Sequence, residues 1–467
     1  MFMVEPENNP DSITRIFKRV YICLGSIKKG FNACKRQLLG LDGTFMKGPY
    51  PRQILVVVGM DPNNGIYPLA YAIVEAENKD SWVWFLQCVQ DDLELSSDCY
   101  FTFISDRQKG IIHAISQFFP LAEHRYCLRH IHQNMKATWR GKGFKDMLWK
   151  CATVTTVREF QSQMEELKKY NVECYKWLIQ IPPQHWANSH FSDRSKSDVL
   201  LNNMCEVFNA KLVEGRDKPI ISALEYVREY MMKRISSVSM VIDKCKGPLT
   251  PTATKMLEAI KKDAEDYTVM WNGEVYQVSG PWSDQCVVDI TDKSCSCRRW
   301  ELTGLPCKHA VAVIWYMALH GQGIGSPETW AHSCYKLETW KKVYSFKVGP
   351  INGRNMWPKD QCPTTLTPSL YKTPIGRPKK KRKKSMVEVD DNMESGGKLT
   401  TKLKSVACSK CKKLGHNSRT CKGQGGETSG KGKGAKESGK AKGGAEAGGK
   451  ARGKATRAEA GGKSSRV

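Results

Sequence analysis

The stretch Leu41-Asp42-Gly43-Thr44-Phe45-Met46-Lys47-Gly48 closes one short apolar run, Gln37 to Leu41, and leads into two more, Gln53 to Met60 and Ile66 to Glu75. Gly48-Pro49 separates the first run from the second, and Asp61-Pro62-Asn63-Asn64-Gly65 separates the second from the third. Short apolar runs bounded by Gly, Pro, Asn and Asp form strands, because the bounding residues supply the dihedrals of the turns. Three strands on such short connections predict an antiparallel meander.

Working outward, Asp80 or Ser81 is placed to cap a helix whose apolar face is Trp82, Phe85, Leu86 and Val89. A strand at Tyr100 to Ser105, a helix at Ile111 to Phe119, a short strand at Glu123 to Cys127 and a helix at Leu128 to Trp139 follow. The order βββαβαβα defines an α/β fold with a mixed five-stranded sheet, three strands antiparallel and two parallel. In front, residues 1 to 30 read as a short polar lead with one amphipathic turn, Ile16 to Cys23. Behind, residues 140 to 200 turn mainly helical and carry tryptophans, and Glu206 to Lys233 read as a long helix broken near Gly215. These parts make a first domain, 31 to 240, joined by a helical connector, 241 to 268, to a second region at 269 to 345.

The 467 residues carry 73 Lys+Arg against 47 Asp+Glu, a net charge of +26. From Lys372 to Val467 there are 27 basic and 8 acidic residues, so the tail holds +19 of that excess. Such a surplus points to a polyanion, with nucleic acid ahead of an anionic membrane surface. Met1 to Pro10 lacks the basic end and apolar run of a secretory signal, and no segment has the roughly 18 apolar residues of a membrane span. The 18 cysteines therefore read as intracellular thiols and metal ligands. No nucleophile turn of a serine hydrolase and no phosphate-cradling Gly-x-x-x-x-Gly-Lys loop occurs.

Asp42 and Asp106 each stand at the end of an expected strand, and Glu206 lies near the start of a later helix. If the two strands are neighbours, both aspartates emerge at one sheet edge. Three such carboxylates suit Mg²⁺ or Mn²⁺, and two ions would stabilise the attacking and leaving oxygens of a phosphodiester displacement. Spacing alone favours a blander reading, in which the acids form turns and solvated helix faces.

A resemblance shifts that balance. The opening stretch, with Gly59-Met60-Asp61, Pro68 to Glu75, Ser81-Trp82-Val83-Trp84-Phe85, Ile104 to Gly110, Tyr126-Cys127-Leu128-Arg129-His130 and Asn203 to Asn209, closely resembles the catalytic region of Mutator-like element (MULE) transposases. The similarity runs through most of residues 9 to 345. It implies an RNase H-like fold with a helical insertion at about 130 to 200 before Glu206, whose acidic triad, here Asp42, Asp106 and Glu206, binds two divalent metal ions. It also implies a supporting Cys-x-x-His pair, here Cys127 and His130, with structural packing preferred over metal ligation. Family members carry an amino-terminal DNA-binding region; this chain enters the first strand within about 40 residues, which leaves truncation and lost terminal-repeat recognition both open.

Cys295-x-Cys297 and Cys307-x-His309 crowd four N/S donors into fifteen positions, a ligand set for structural zinc. The spacing resembles a SWIM zinc finger, which implies a small ββα module binding DNA or protein. Arg298, Arg299 and Lys308 beside it are candidate phosphate contacts. A second zinc set, Cys408, Cys411, His416 and Cys421, has the spacing of a CCHC zinc knuckle (406 to 423), a reader of RNA or single-stranded nucleic acid, although its loop lacks the expected aromatic residue.

Between the two zinc sets, residues 346 to 405 form a Pro-rich basic linker. Within it Gly376-Arg377-Pro378 resembles an AT-hook centre. Arg377, Lys379, Lys380, Lys381, Arg382, Lys383 and Lys384 read as a nucleic-acid contact and a nuclear localisation signal. Residues 424 to 467, nearly all Gly, Lys, Ala, Ser and Glu, cannot bury a core and form a disordered tail. Trp82, Trp84, Trp139, Trp186 and Trp300 read as core residues before base-stacking ones. Two functions follow: a DDE-type transposase cutting and joining DNA, or a catalytically inactive nuclear DNA-binding or transcription-regulating protein that keeps the body as a scaffold.

Overall fold

The computed structural model describes residues 2–7, 14–34, 36–47, 51–95, 100–357 and 365–367, all within one compact unit; the zinc-knuckle cysteines, the AT-hook-like run and the basic tail lie outside the described residues. The expected meander forms as β3 (Leu38–Phe45), β4 (Gln53–Met60) and β5 (Ile66–Val74), and β6 (Thr102–Ser105) and β7 (Glu123–Tyr126) run parallel to β3.

The sheet is larger than expected. The supposed polar lead supplies β1 (Phe2–Glu7) and β2 (Thr14–Cys23), giving the order β1-β2-β5-β4-β3-β6-β7, and residues 365–367 add a short strand beside β2. Ile16 to Cys23 is therefore strand, with Val20, Tyr21, Ile22 and Cys23 buried against β5. Its Lys18 and Arg19 ion-pair with Glu5 of β1, which is how charged residues sit within a strand.

Helices cover both faces, and the register decides which. Asp42, Val56, Tyr71 and Ile22 stand side by side across β3, β4, β5 and β2, so they share one face; Gly43, Leu55, Ala72 and Tyr21 share the other. On the Tyr21 face lies α2 (Lys79–Leu93), after α1 (Gly25–Cys34); Tyr21 packs against Phe85 and bonds Asp92 of α2. The α2 cap is Asn78, whose side chain accepts from the Ser81 N–H at 2.9 Å, in place of the expected Asp80 or Ser81.

After β6 and β7 come α3 (Lys109–Phe118) and α4 (Leu128–Met135), then α5 (Lys142–Thr153), α6 (Val157–Tyr170) and α7 (Val172–Leu178). The last four bury their own core of Leu128, Ile131, Leu148, Cys151, Leu167 and Trp186. The helix expected to break near Gly215 is two helices, α8 (Asn203–Lys211) and α9 (Ile220–Ile242), with the break at Leu212 to Pro219. On the Asp42 face, α8 packs on β3, β4 and β5, and Tyr71 reaches Leu224 of α9.

After α10 (Pro251–Ala264), the cysteine region forms a second, antiparallel sheet, β8 (Thr268–Trp271), β9 (Tyr276–Ser279), β10 (Gln285–Asp289) and β11 (Ser294–Cys295), followed by α11 (Arg299–Thr303) and α12 (Lys308–Leu319). Four strands and two helices thus stand where ββα was expected. The chain then returns to the first core through α13 (Leu337–Tyr344), whose Trp340 and Tyr344 bond the buried Asp61 carboxylate at 3.3 and 2.8 Å. Among the described residues no helix is long and apolar enough to cross a membrane.

Candidate active site and zinc centre

Asp42 lies inside β3 rather than at its end, yet it is brought to Asp106. The parallel register pairs Gly40 with Ile104; two residues further along each chain stand Asp42 and Asp106, at one level and on one face. Burial, and then the charge of Asp106, raise the Asp42 carboxyl from 3.8 to about 6, against the pull of the Gly43 N–H, His130 and Asn209. Asp42 accepts from the Gly43 N–H at 2.9 Å and from the Asn209 amide at 2.8 Å, and Asp106 accepts from the Gln108 N–H at 3.1 Å.

Gly40 makes the site's third side. A Cβ there would stand 2.6 Å from Asn202 Oδ1 and 2.8 Å from Cys205 Sγ and Met204 Cγ, so only glycine lets the start of α8 come down on β3. That approach brings Asn209 onto Asp42; Glu206 stands one turn before Asn209, and the Asp42, Asp106 and Glu206 carboxylates do not all lie within 4.8 Å of one another. Asn209 escaped the sequence reading. The i, i+3 spacing from Glu206 was its one signal, and its buried Oδ1 has no hydrogen-bond partner among the described residues. Glu206 does not point freely into the site: its carboxylate is ion-paired with Arg129, both side chains being about one-third exposed or more.

Cys127 and His130 support this edge. Cys127 precedes α4, and its thiol accepts from the Asn202 N–H at 3.3 Å. Its hydrogen bond with His130 is the main cause that raises the imidazole, with the charges of Cys127, Asp106 and Asp42 adding to it against burial. The pair thus sits between the two aspartates and α8.

Among the described residues, two groups bring three or more metal-ligating atoms within 4.8 Å of one another, and both lie in the second sheet: Cys295, Cys297, Cys307 and His309; and Asp284, Cys286 and His309. His309 Nδ1 faces Cys295 Sγ at 3.6 Å and Cys307 Sγ at 3.9 Å, while its Nε2 meets Asp284 Oδ2 at 3.2 Å. Three thiols and an imidazole held by a carboxylate are the donor chemistry of structural zinc with an outer-sphere orienting group. Burial opposes the charge on Asp284, but Lys308 at 2.6 Å, Tyr267 at 2.6 Å and His309 hold its carboxyl below the usual range. Asp284 and Cys286 precede the ligand motif and follow no recognisable spacing, which hid them from the sequence reading.

Two of the three candidate phosphate contacts are otherwise engaged. Arg298 donates to the backbone carbonyls of Thr155, Ser189 and Phe191, and Thr155 Oγ1 returns a bond to the Cys297 carbonyl at 2.7 Å, so Arg298 fastens the cysteine module to the helical region. Lys308 is paired with Asp284. The core reading of the tryptophans holds for Trp82, Trp186 and Trp300, which are buried.

Residues 38–134 match the MULE transposase domain and residues 267–318 match the SWIM zinc finger. The chain therefore carries a MULE transposase domain followed by a SWIM zinc finger. It is 24% identical over 305 residues to Protein FAR1-RELATED SEQUENCE 12 of Arabidopsis thaliana, covering 58% of this chain and 38% of that protein. It is 24% identical over 170 residues to the transposase for insertion sequence element IS905 of Lactococcus lactis, 35% of this chain and 42% of the relative. With the transposase for insertion sequence element IS1201 of Lactobacillus helveticus the identity is 23% over 229 residues, 45% and 59%. The chain thus spans 38 to 59% of the length of these relatives.

Proposed function

We infer that this chain is a transposase-derived DNA-processing protein with an RNase H-like core, in which Asp42, Asp106 and Glu206 hold two Mg²⁺ or Mn²⁺ ions. The observation that carries this reading is the register of Gly40 on Ile104, which sets Asp42 beside Asp106. Two adjacent carboxylates, one of them raised to about 6 by burial and by the other's charge, suit a divalent cation, as does the Asn209 carbonyl beside them, which has no hydrogen-bond partner among the described residues. When bound, the ions would supply charge neutralisation to the attacking and leaving oxygens of a DNA phosphodiester. The chain's own part is positioning: β3 and β6 fix the aspartates, and Gly40 fixes the helix that bears Glu206. Arg129, freed from Glu206, is placed to pair with phosphate.

The SWIM finger holds one structural zinc ion through Cys295, Cys297, Cys307 and His309, and the Cys408, Cys411, His416, Cys421 set holds another. The basic run at Arg377 to Lys384 and the tail add salt-dependent affinity for DNA and direct the protein to the nucleus. The knuckle adds single-stranded DNA or RNA.

A second reading, a nuclear DNA-binding protein without catalysis, is favoured by the Arg129–Glu206 pair, which occupies the third carboxylate. A cleavage and strand-transfer assay in Mg²⁺ or Mn²⁺ separates the two. The enzyme reading expects activity in the wild type that is lost in Asp106→Asn and Glu206→Gln; equal activity in all three proteins, or none in any, leaves the second reading.

A further inference from the structure

We propose that Cys286 and Cys297 form a peroxide-oxidisable thiol pair at the rim of the SWIM zinc centre, so that a disulfide between them and zinc bound at that centre exclude one another. The inference rests on the zinc reading above and goes beyond it, because Cys286 belongs to neither half of the ligand motif.

The ladder places Cys286, and the His309 ring joins it to Cys297. Val288 of β10 stands opposite Cys295 of β11, and the Ser296 N–H donates to the Val287 carbonyl at 2.9 Å, which continues the antiparallel register by one residue. Past Ser296 the chain turns, the Arg298 N–H closing on the Cys295 carbonyl at 2.7 Å, and Cys286 and Cys297 each keep their sulfur within 4.8 Å of a ring nitrogen of His309. Side chains alternate along β10, with Val287 exposed and Val288 buried, so Cys286 turns to the inner side, toward Cys295 and Cys297. Its sulfur lies with the Asp284 carboxylate and the His309 ring within 4.8 Å, and 3.9 Å from Asp284 Oδ1.

Five N/S donors therefore crowd a centre that four fill. Accessibility then sorts them: Cys286 and Cys297 are half-buried, whereas Cys295 and Cys307 are buried, so a small oxidant meets these two first. The Cys297 thiolate takes one oxygen from hydrogen peroxide, giving a sulfenic acid and hydroxide. The Cys286 thiol then attacks that sulfur; the S–S bond forms and the oxygen leaves as water. The two sulfurs lose two electrons, and the peroxide gains them. Three donors remain for zinc, too few for a closed structural site. The Cys297 carbonyl that holds Thr155 belongs to the same residue, so the oxidation reaches the contact between module and body.

The test treats the full-length zinc-loaded protein with hydrogen peroxide, counts zinc by native mass spectrometry and maps disulfides by peptide analysis. The expected result is loss of one zinc ion per chain together with a Cys286–Cys297 disulfide, both reversed by a thiol reductant plus zinc. Cys286→Ser and Cys286→Ala should start with the wild-type zinc count, lose zinc at least about fivefold more slowly and proceed to irreversible sulfinic acid at Cys297. Three results overturn the proposal: wild-type rate and reversibility in both variants, a disulfide joining two zinc ligands while Cys286 stays free to alkylate, or a lowered zinc count in the variants before oxidation. Absence of zinc from the Cys295 to His309 cluster in the untreated wild type would instead refute the zinc reading itself.

Discussion

The guanidinium of Arg129 holds the carboxylate of Glu206, which stands on α8 one turn before the Asn209 that bonds Asp42. Both side chains keep substantial solvent exposure, so the pair is worth about 0–1 kcal/mol and can be exchanged for another partner of either charge. If Glu206 ligates a cation, Arg129 competes with it. Arg129→Gln should then tighten Mn²⁺ binding up to about fivefold, and Glu206→Gln should weaken it, both read by titration calorimetry. Unchanged affinity in both variants would mean that Glu206 takes no part in the site.

The raised Asp42 carboxyl has a pH signature. A group whose folded value lies above its unfolded one stabilises the fold below the unfolded value, and that contribution is lost as pH rises through the folded value. For Asp42 the window runs from 3.8 to about 6. Other carboxylates titrate there too, so the informative quantity is the difference from Asp42→Asn in metal-free protein. The variant should match wild type near pH 3.5 and exceed it by roughly 1–3 kcal/mol at pH 7, measured by urea unfolding. A variant less stable than wild type at pH 7 would show that Asp42 is not held at a cost.

Much of this edge was legible before folding was considered, and the reasons are local. The sequence signals Gly48-Pro49 and Asp61 to Gly65 announce β3, β4 and β5 whatever the rest of the chain does. The zinc ligands are equally local, because two close pairs define the tetrahedron. What escaped depends on distant partners. Thr14 to Cys23 alternates imperfectly and becomes a strand because β5 offers an edge and Glu5 neutralises Lys18 and Arg19. The α13 helix belongs to the first core because Trp340 and Tyr344 reach back to Asp61, across 279 and 283 residues of sequence that no local pattern spans.

Asp284 fixes the imidazole of His309 by its Nε2 and leaves Nδ1 facing the thiols. Removing such an outer partner typically costs about 10–100-fold in metal affinity. Asp284→Ala should therefore weaken zinc at the SWIM finger by that factor in competition with a chelator of known affinity. Asp284→Asn, which can still accept from the ring, should lose less. Equal affinity in wild type and Asp284→Ala would make the contact incidental to the metal.

Arg298 distinguishes fastening from phosphate contact. Its three acceptors are backbone carbonyls of the helical region, and charged hydrogen bonds of this kind are worth about 1.5–3 kcal/mol each when buried groups would be left unpaired. Arg298→Ala should lower the melting temperature and raise proteolysis between the helical region and β11. The salt slope of DNA binding should stay at the wild-type value, since no phosphate contact is lost. A slope reduced by about one unit with unchanged stability would restore Arg298 to the DNA-binding surface.

Gly40 provides the sharpest test of how the acidic edge is assembled. Every atom that an added Cβ would meet within 3 Å belongs to Asn202, Met204 or Cys205, at the start of α8, and the strand beneath is buried and paired on both sides, so the helix must be what moves. Overpacking of this kind costs about 1–3 kcal/mol. Because Glu206 and Asn209 ride on the same helix, the displacement withdraws both from Asp42. Gly40→Ala should thus lower thermal stability and weaken Mn²⁺ binding together, while the zinc count, set by residues of the second sheet, stays at the wild-type value. Loss of stability with full Mn²⁺ affinity would show that α8 contributes packing alone, and the cation would then have to be held by Asp42 and Asp106 without help from the helix.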